Sequence, residues 1–159
     1  MKILIVDTYY PTFLKNFHDD LLKSKIKNLN FSEHKHALLA KNFGTSDFYS
    51  RHLNLMGVET IDIIANDFSL QNKWENEFLH KNNFPKLLIP NKFFHLPFCG
   101  DFLKKLDYLR YITLAQIKKN KPDIVYCQDL WFFASKQLQE IKLYTKLLIG
   151  QIASPLPSD

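Results

Sequence analysis

Lys118-Lys119-Asn120-Lys121-Pro122-Asp123-Ile124-Val125-Tyr126-Cys127 joins the end of a helix to a short apolar strand, and this junction decides the fold class. Before it, Leu103, Leu106, Leu109, Ile112 and Ile117 line one face of a helix over 101–120. Pro122 cannot continue that helix, and Ile124 to Cys127 is rich in β-formers. Outward from the junction the alternation repeats. Lys2-Ile3-Leu4-Ile5-Val6-Asp7 reads as a buried strand, and Pro11 then opens a helix carrying Phe13, Leu14, Phe17, Leu21 and Leu22. Helices are expected from Ser32 to Phe43, from Thr45-Ser46-Asp47 to Gly57, and over 69–78. Strands are expected over 58–65 and 147–153, with a helix over 130–143 between the last two strands. Residues 83–100 hold Pro85, Pro90, Pro97 and Gly100, so they read as an irregular crossover with at most a short strand at 86–89. The expectation is an α/β fold, a Rossmann-like parallel sheet with helices on both faces, in which Ile5, Val125 and Ile149 are buried together.

Composition agrees with a folded domain. The 159 residues are 46% hydrophobic and 14% aromatic, which excludes a disordered or fibrous chain. No run of about 18 apolar residues is present, and the N-terminus is too soon interrupted to be a signal peptide. Cys99 and Cys127 are far apart and belong to no CxxC pair, so a disulfide framework is not expected and a reducing, cytoplasmic setting is. The net charge is +5, and residues 104–121 account for all of it with six basic side chains against Asp107. Such a helix fits a solvated face or weak contact with an anionic membrane surface. With no recognition motif beside it, specific nucleic-acid binding is not expected.

In open parallel sheets, ligands bind beyond the carboxyl ends of the strands. That rule gathers Asp7 to Pro11, Asn66-Asp67, Gln128 to Trp131 and Ser154 into one expected cleft. The chain stops just after its last strand, without a covering helix, so it is expected to be the leading part of a larger protein.

Several familiar sites are excluded. Asp7-Thr8-Tyr9-Tyr10-Pro11 lacks the glycines of a dinucleotide turn, and no GxxxxGK[ST] loop exists. A phospho-receiver needs an acidic pair where Asp7-Thr8 stands and an acceptor carboxylate where Gln128 stands. His34 and His36, two apart on a helix, point away from each other. His18-Asp19 is half of a metal-hydrolase motif with no companion at usable spacing, so no metal site is expected. Phe93, Phe94, Phe98, Trp131, Phe132 and Phe133 could stack on a sugar or base, or simply fill the core; Trp131, following a strand end, is the best candidate for stacking.

Three stretches carry more. Gln128-Asp129-Leu130-Trp131 sets an amide, a carboxylate and an indole at a strand end, a mixture suited to hydroxyl-rich ligands. Phe43 to Arg51 holds more capping groups than one helix start needs. Gly150 to Pro155 closes a strand in small residues that leave room for a ligand. Tyr-Pro-Thr-Phe-Leu at 10–14, Phe43 to Arg51 with Gly57 behind it, Ile64-Ala65-Asn66, Pro122 to Tyr126 with Gln128-Asp129-Leu130, and Gly150 to Pro157 occur in this order. As a set they resemble the N-terminal half of a GT-B glycosyltransferase of the CgeB-type (spore-maturation) and group 1 family.

The resemblance spans nearly all of residues 1–159, with 72–100 matching loosely. It implies the acceptor-side domain of an enzyme that moves a sugar from a nucleotide-sugar donor to a hydroxyl acceptor, such as a carbohydrate. The donor, the one cofactor-like molecule implied, would sit mainly in a C-terminal domain absent from this sequence, without a metal. Residues 1–159 alone would then be inert. Asp129 is the candidate catalytic carboxylate, orienting an acceptor hydroxyl or taking its proton; its alternative role is to cap the following helix. Tyr9, Tyr10, Thr45, Arg51, Asn66, Gln128, Trp131 and Ser154 are the candidate acceptor-binding residues. The rival reading is a non-catalytic α/β module that binds a glycan or another protein.

Overall fold

The structure, a computed structural model, describes residues 1–24, 29–79 and 100–151, with only the backbone described at 100–104. Four strands, β1 (Lys2–Asp7), β2 (Glu59–Ile64), β3 (Ile124–Cys127) and β4 (Leu147–Gly150), form one sheet in the order β2-β1-β3-β4. Every pairing is parallel: Leu4 stands opposite Ile61 and Val125, and Val125 opposite Leu148. The expected short strand at 86–89, the irregular crossover, Phe93, Phe94, Phe98, Ser154 and the end of the expected last strand lie outside the described residues.

Helices cover both faces. On one, Leu4, Val6, Ile63, Ala65, Val125 and Cys127 pack against Leu109, Leu114 and Ile117 of α5 (Gly100–Asn120) and Ile141 of α6 (Ser135–Ile141). On the other, Ile64 and Tyr9 meet Leu14 and Phe17 of α1 (Pro11–Lys23), Leu38 of α2 (Phe31–Leu39) and Leu70 of α4 (Phe68–Phe78). The short α3 (Phe48–Leu55) lies beside β2, where the Thr60 hydroxyl donates to the Ser50 carbonyl at 2.9 Å.

The helix boundaries depart from expectation for local reasons. α2 starts before Ser32 because Asn30 and Glu33 close a reciprocal cap: each backbone N–H donates to the other's side chain at 2.9 Å. It also stops at Leu39 instead of Phe43, since the chain turns through left-handed backbone at Asn42 and Gly44. The helix expected over 130–143 is two pieces, a 3-10 turn at Leu130–Phe132 and then α6. Between the two pieces Phe133 has extended backbone, and Phe132 and Phe133 are both buried. The two rings meet edge-on with centroids 4.9 Å apart, and the Arg110 guanidinium donates to the Phe132 carbonyl at 2.5 Å.

Burial of Ile5, Val125 and Ile149 as one group is not observed. Ile5 and Val125 are buried but face opposite sides of the sheet, since Ile5 stands beside Tyr126 in the register. Ile149 is 41% exposed, because on its face β4 has no helix over it among the described residues. Nor is space left open above Gly150. The Leu130 side chain fills it, reaching to 2.6 Å from where a Cβ would stand.

Candidate functional site

The strand order places β2 and β3 on opposite sides of β1, so the chain reverses direction across the sheet between β1 and β3. The loops leaving these two strands flank the crevice that such a reversal opens. From β1 come Asp7 and Thr8, and from β3 come Gln128 and Asp129. The Thr8 hydroxyl donates to Asp129 Oδ2 at 2.7 Å, tying the two loops together. Asp129 Oδ1 accepts the Trp131 N–H at 3.0 Å and caps the 3-10 turn. The capping role expected of Asp129 is thus present on one oxygen, and the other is taken by Thr8.

Thr45 joins this group from the loop before α3. Its hydroxyl donates to Gln128 Oε1 at 2.8 Å, while the Ser46 hydroxyl turns to the Leu39 carbonyl. Neither caps α3, whose N-cap Asp47 makes no side-chain bond. Thr45 and Ser46 therefore serve ties to other parts of the chain. Trp131 is 63% exposed and Tyr10 71% exposed, so two aromatic faces stand in solvent on the loops after β3 and β1.

Asp7, placed in the expected cleft by its strand end, has a strongly altered acidity there. Burial pushes its carboxyl up to about 6; the Thr8 N–H, donating at 2.8 Å, opposes that shift, and the charges of Asp129 and Asp62 add to it. Asp62, buried on β2, is also raised by burial, against the pull of Ser50 and Lys35. A carboxyl that titrates near neutrality can hold or release a proton at physiological pH.

Other expected residues lie elsewhere. Tyr9 is buried, its ring packed edge-on against Phe13 and Phe43. Asn66 is spent on its backbone, accepting the Tyr9 N–H at 2.9 Å and donating to the Tyr9 carbonyl at 2.6 Å. This pair joins the ends of β1 and β2 and leaves neither side chain pointed at a ligand. Arg51 is exposed on α3, and no hydrogen bond or ion pair among the described residues involves its guanidinium.

A second polar group lies at the carboxyl end of β2. Asp67 caps α4, its Oδ1 accepting the Leu70 N–H at 3.1 Å, and the same oxygen meets His18 Nε2 at 3.1 Å. His34 Nε2 comes within 3.2 Å of Asp67 Oδ2, close enough for ionic attraction but out of line for a hydrogen bond. Burial raises the Asp67 carboxyl, but the His18 hydrogen bond and the nearness of His34 outweigh it, so it lies well below the usual carboxylate range. One ligand atom from each of the three residues falls within 4.8 Å of the other two. His34 and His36 do diverge as their spacing requires, one buried and the other exposed. The partners of His18 and His34 came from across the chain, where no local spacing could reveal them. Compared with protein-family models, curated proteins and solved structures, the chain matches none.

Proposed function

We propose that this chain is the acceptor-side domain of a two-domain GT-B glycosyltransferase, and that the crevice between β1 and β3 receives a hydroxyl-rich acceptor. The observation that carries the reading is the Thr8–Asp129 hydrogen bond at the point where the sheet order reverses. There Thr8 supplies a hydroxyl to a carboxylate oxygen, the contact an acceptor hydroxyl would make in its place. Rotation of Thr8 frees Asp129 Oδ2, while Oδ1 stays on the Trp131 N–H and keeps the carboxylate aimed. Thr45 and Gln128 add a donor and acceptors, and Trp131 and Tyr10 offer faces for sugar rings.

In the transfer step the acceptor O–H gives its proton to Asp129 while its oxygen bonds to the anomeric carbon. The nucleoside diphosphate leaves with the electron pair of the broken C–O bond. The donor belongs to the second domain of such an enzyme. A non-catalytic glycan- or protein-binding module is the second reading, favoured by the fact that both Asp129 oxygens already have internal partners.

The test uses the protein extended to include the following domain, incubated with a panel of nucleotide sugars and glycan acceptors. Nucleoside diphosphate release should depend on acceptor and fall about 10²–10⁴-fold in Asp129→Asn, with folding kept because Asn caps nearly as well as Asp. Glycan titration should quench Trp131 fluorescence, and Trp131→Phe should remove that response while Trp74 stays buried. Binding without turnover supports the module instead; neither binding nor turnover sinks both.

A further inference from the structure

We propose that His18, His34 and Asp67 form a site for one divalent transition-metal ion, zinc by preference, with water completing its coordination. This inference is independent of the glycosyl-transfer reading. Two imidazole nitrogens and a carboxylate oxygen are a donor set of mononuclear zinc sites that keep an open position. The residues come from three elements, α1, α2 and the start of α4, and meet at the carboxyl end of β2.

Three observations point to a cation rather than a plain staple. First, His34 Nε2 and Asp67 Oδ2 are both buried and neither has a hydrogen-bond partner, although they lie 3.2 Å apart. Buried polar atoms are rarely left so, and a metal between them would satisfy both lone pairs. Second, the spacing fits. Zinc bonds of about 2.0–2.1 Å in a tetrahedron hold ligand atoms roughly 3.3 Å apart; His34 Nε2 lies 3.2 Å from Asp67 Oδ2, and His18 Nε2 lies 3.1 Å from the other oxygen, Oδ1. The widest separation is no more than 4.8 Å. The partly exposed His18 ring can close it by a shift of at most about 1.5 Å. Third, Asp67 is held from behind by the Leu70 N–H on Oδ1, the kind of outer support that fixes a metal-binding carboxylate.

His18 is 31% exposed at its side chain while the other two are sealed, so the water-bearing position opens past His18. Lys105 opposes a cation here, since its charge acts on His18 and its ammonium lies over the Phe68 ring at 5.0 Å.

The test is equilibrium dialysis of the metal-free chain against zinc, with cobalt(II) as the spectroscopic probe. One zinc per chain should bind, and cobalt should give the visible absorption of a four-coordinate site. His18→Gln should weaken binding at least about 10-fold, whereas His36→Gln and His52→Gln, at exposed positions, should leave it unchanged. His34→Gln and Asp67→Asn are scored only where circular dichroism shows a folded chain; His18→Gln, being at the surface, keeps the test decisive. Absence of a single stoichiometric site, or equal affinity in His18→Gln, overturns the proposal. So does binding that follows His36 or His52.

Discussion

Asp7 is a carboxyl at the end of a buried strand, and burial there is the largest cause of its altered acidity. Its folded value of about 6 stands above the ordinary 3.8, with burial the main cause. Between those values the folded chain keeps a proton that the unfolded chain has released. Asp7 therefore favours the fold below about pH 4, and that stability is lost as the pH rises through about 6. Asp7→Asn removes the charged form while keeping an acceptor for the Thr8 N–H. Urea unfolding from pH 4 to 8 should show the variant more stable by ~1–2 kcal/mol above pH 6, with a shallower slope below. Asp62, raised in the same direction, keeps its own share of the slope. An unchanged slope would mean that Asp7 is solvated in the folded chain.

At the scale of elements, periodicity located the strands and helices, and packing revised their ends. Asn30 could have been read as the cap of α2 from the Asn30–Glu33 spacing; the Ser32 start overlooked it. The split after Phe132, where two adjacent rings both meet the core under the sheet, was not readable. β4 carries the plainest lesson. Leu147-Leu148-Ile149 looks as buried as β3, yet only Leu148 packs into the main core. Ile149→Ala should therefore cost under about 1 kcal/mol, whereas Ile117→Ala, in the last turn of α5 and fully buried, should cost about 2–5 kcal/mol. Denaturant midpoints for the two variants decide this, and equal losses would place Ile149 under a covering element.

Across the whole molecule, a buried polar chain couples three layers. Gln71 on α4 donates to the Ile64 carbonyl at the end of β2, at 2.8 Å, and accepts from the Gln116 amide on α5. Both side chains are buried, so Gln71→Leu leaves the carbonyl and the amide without partners. A loss of about 2–6 kcal/mol is expected, at about 1–3 kcal/mol for each orphaned group. Gln71→Leu with Gln116→Leu should cost less than the two single changes added together, since the double variant leaves no orphaned Gln116 amide. Simple additivity in a double-mutant cycle would show that the contact is not made in solution. Three of the six basic side chains over 104–121 are drawn into the same framework. Lys118 pairs with Glu140 at 2.6 Å, Lys119 lies over the Phe78 ring and Arg110 holds the Phe132 carbonyl. Among the described residues, no helix is long and apolar enough to cross a membrane.

What the sequence by itself determined is the succession of elements and, through the helices between strands, their parallel sense. These are properties of short windows: a period of 2 or 3.6, a proline after a helix, a capping residue before one. Which loops leave the carboxyl ends of strands follows from that order, and so the placing of Gln128 and Asp129 was readable. The tertiary structure alone decided that Thr8 would meet Asp129, that Asn66 would be spent on Tyr9, and that His18, His34 and Asp67 would converge. Each of these contacts joins residues far apart in the chain. Their approach depends on strand order and on how closely helices seat on the sheet, which is settled by side-chain volume packed to high density and not by any local pattern.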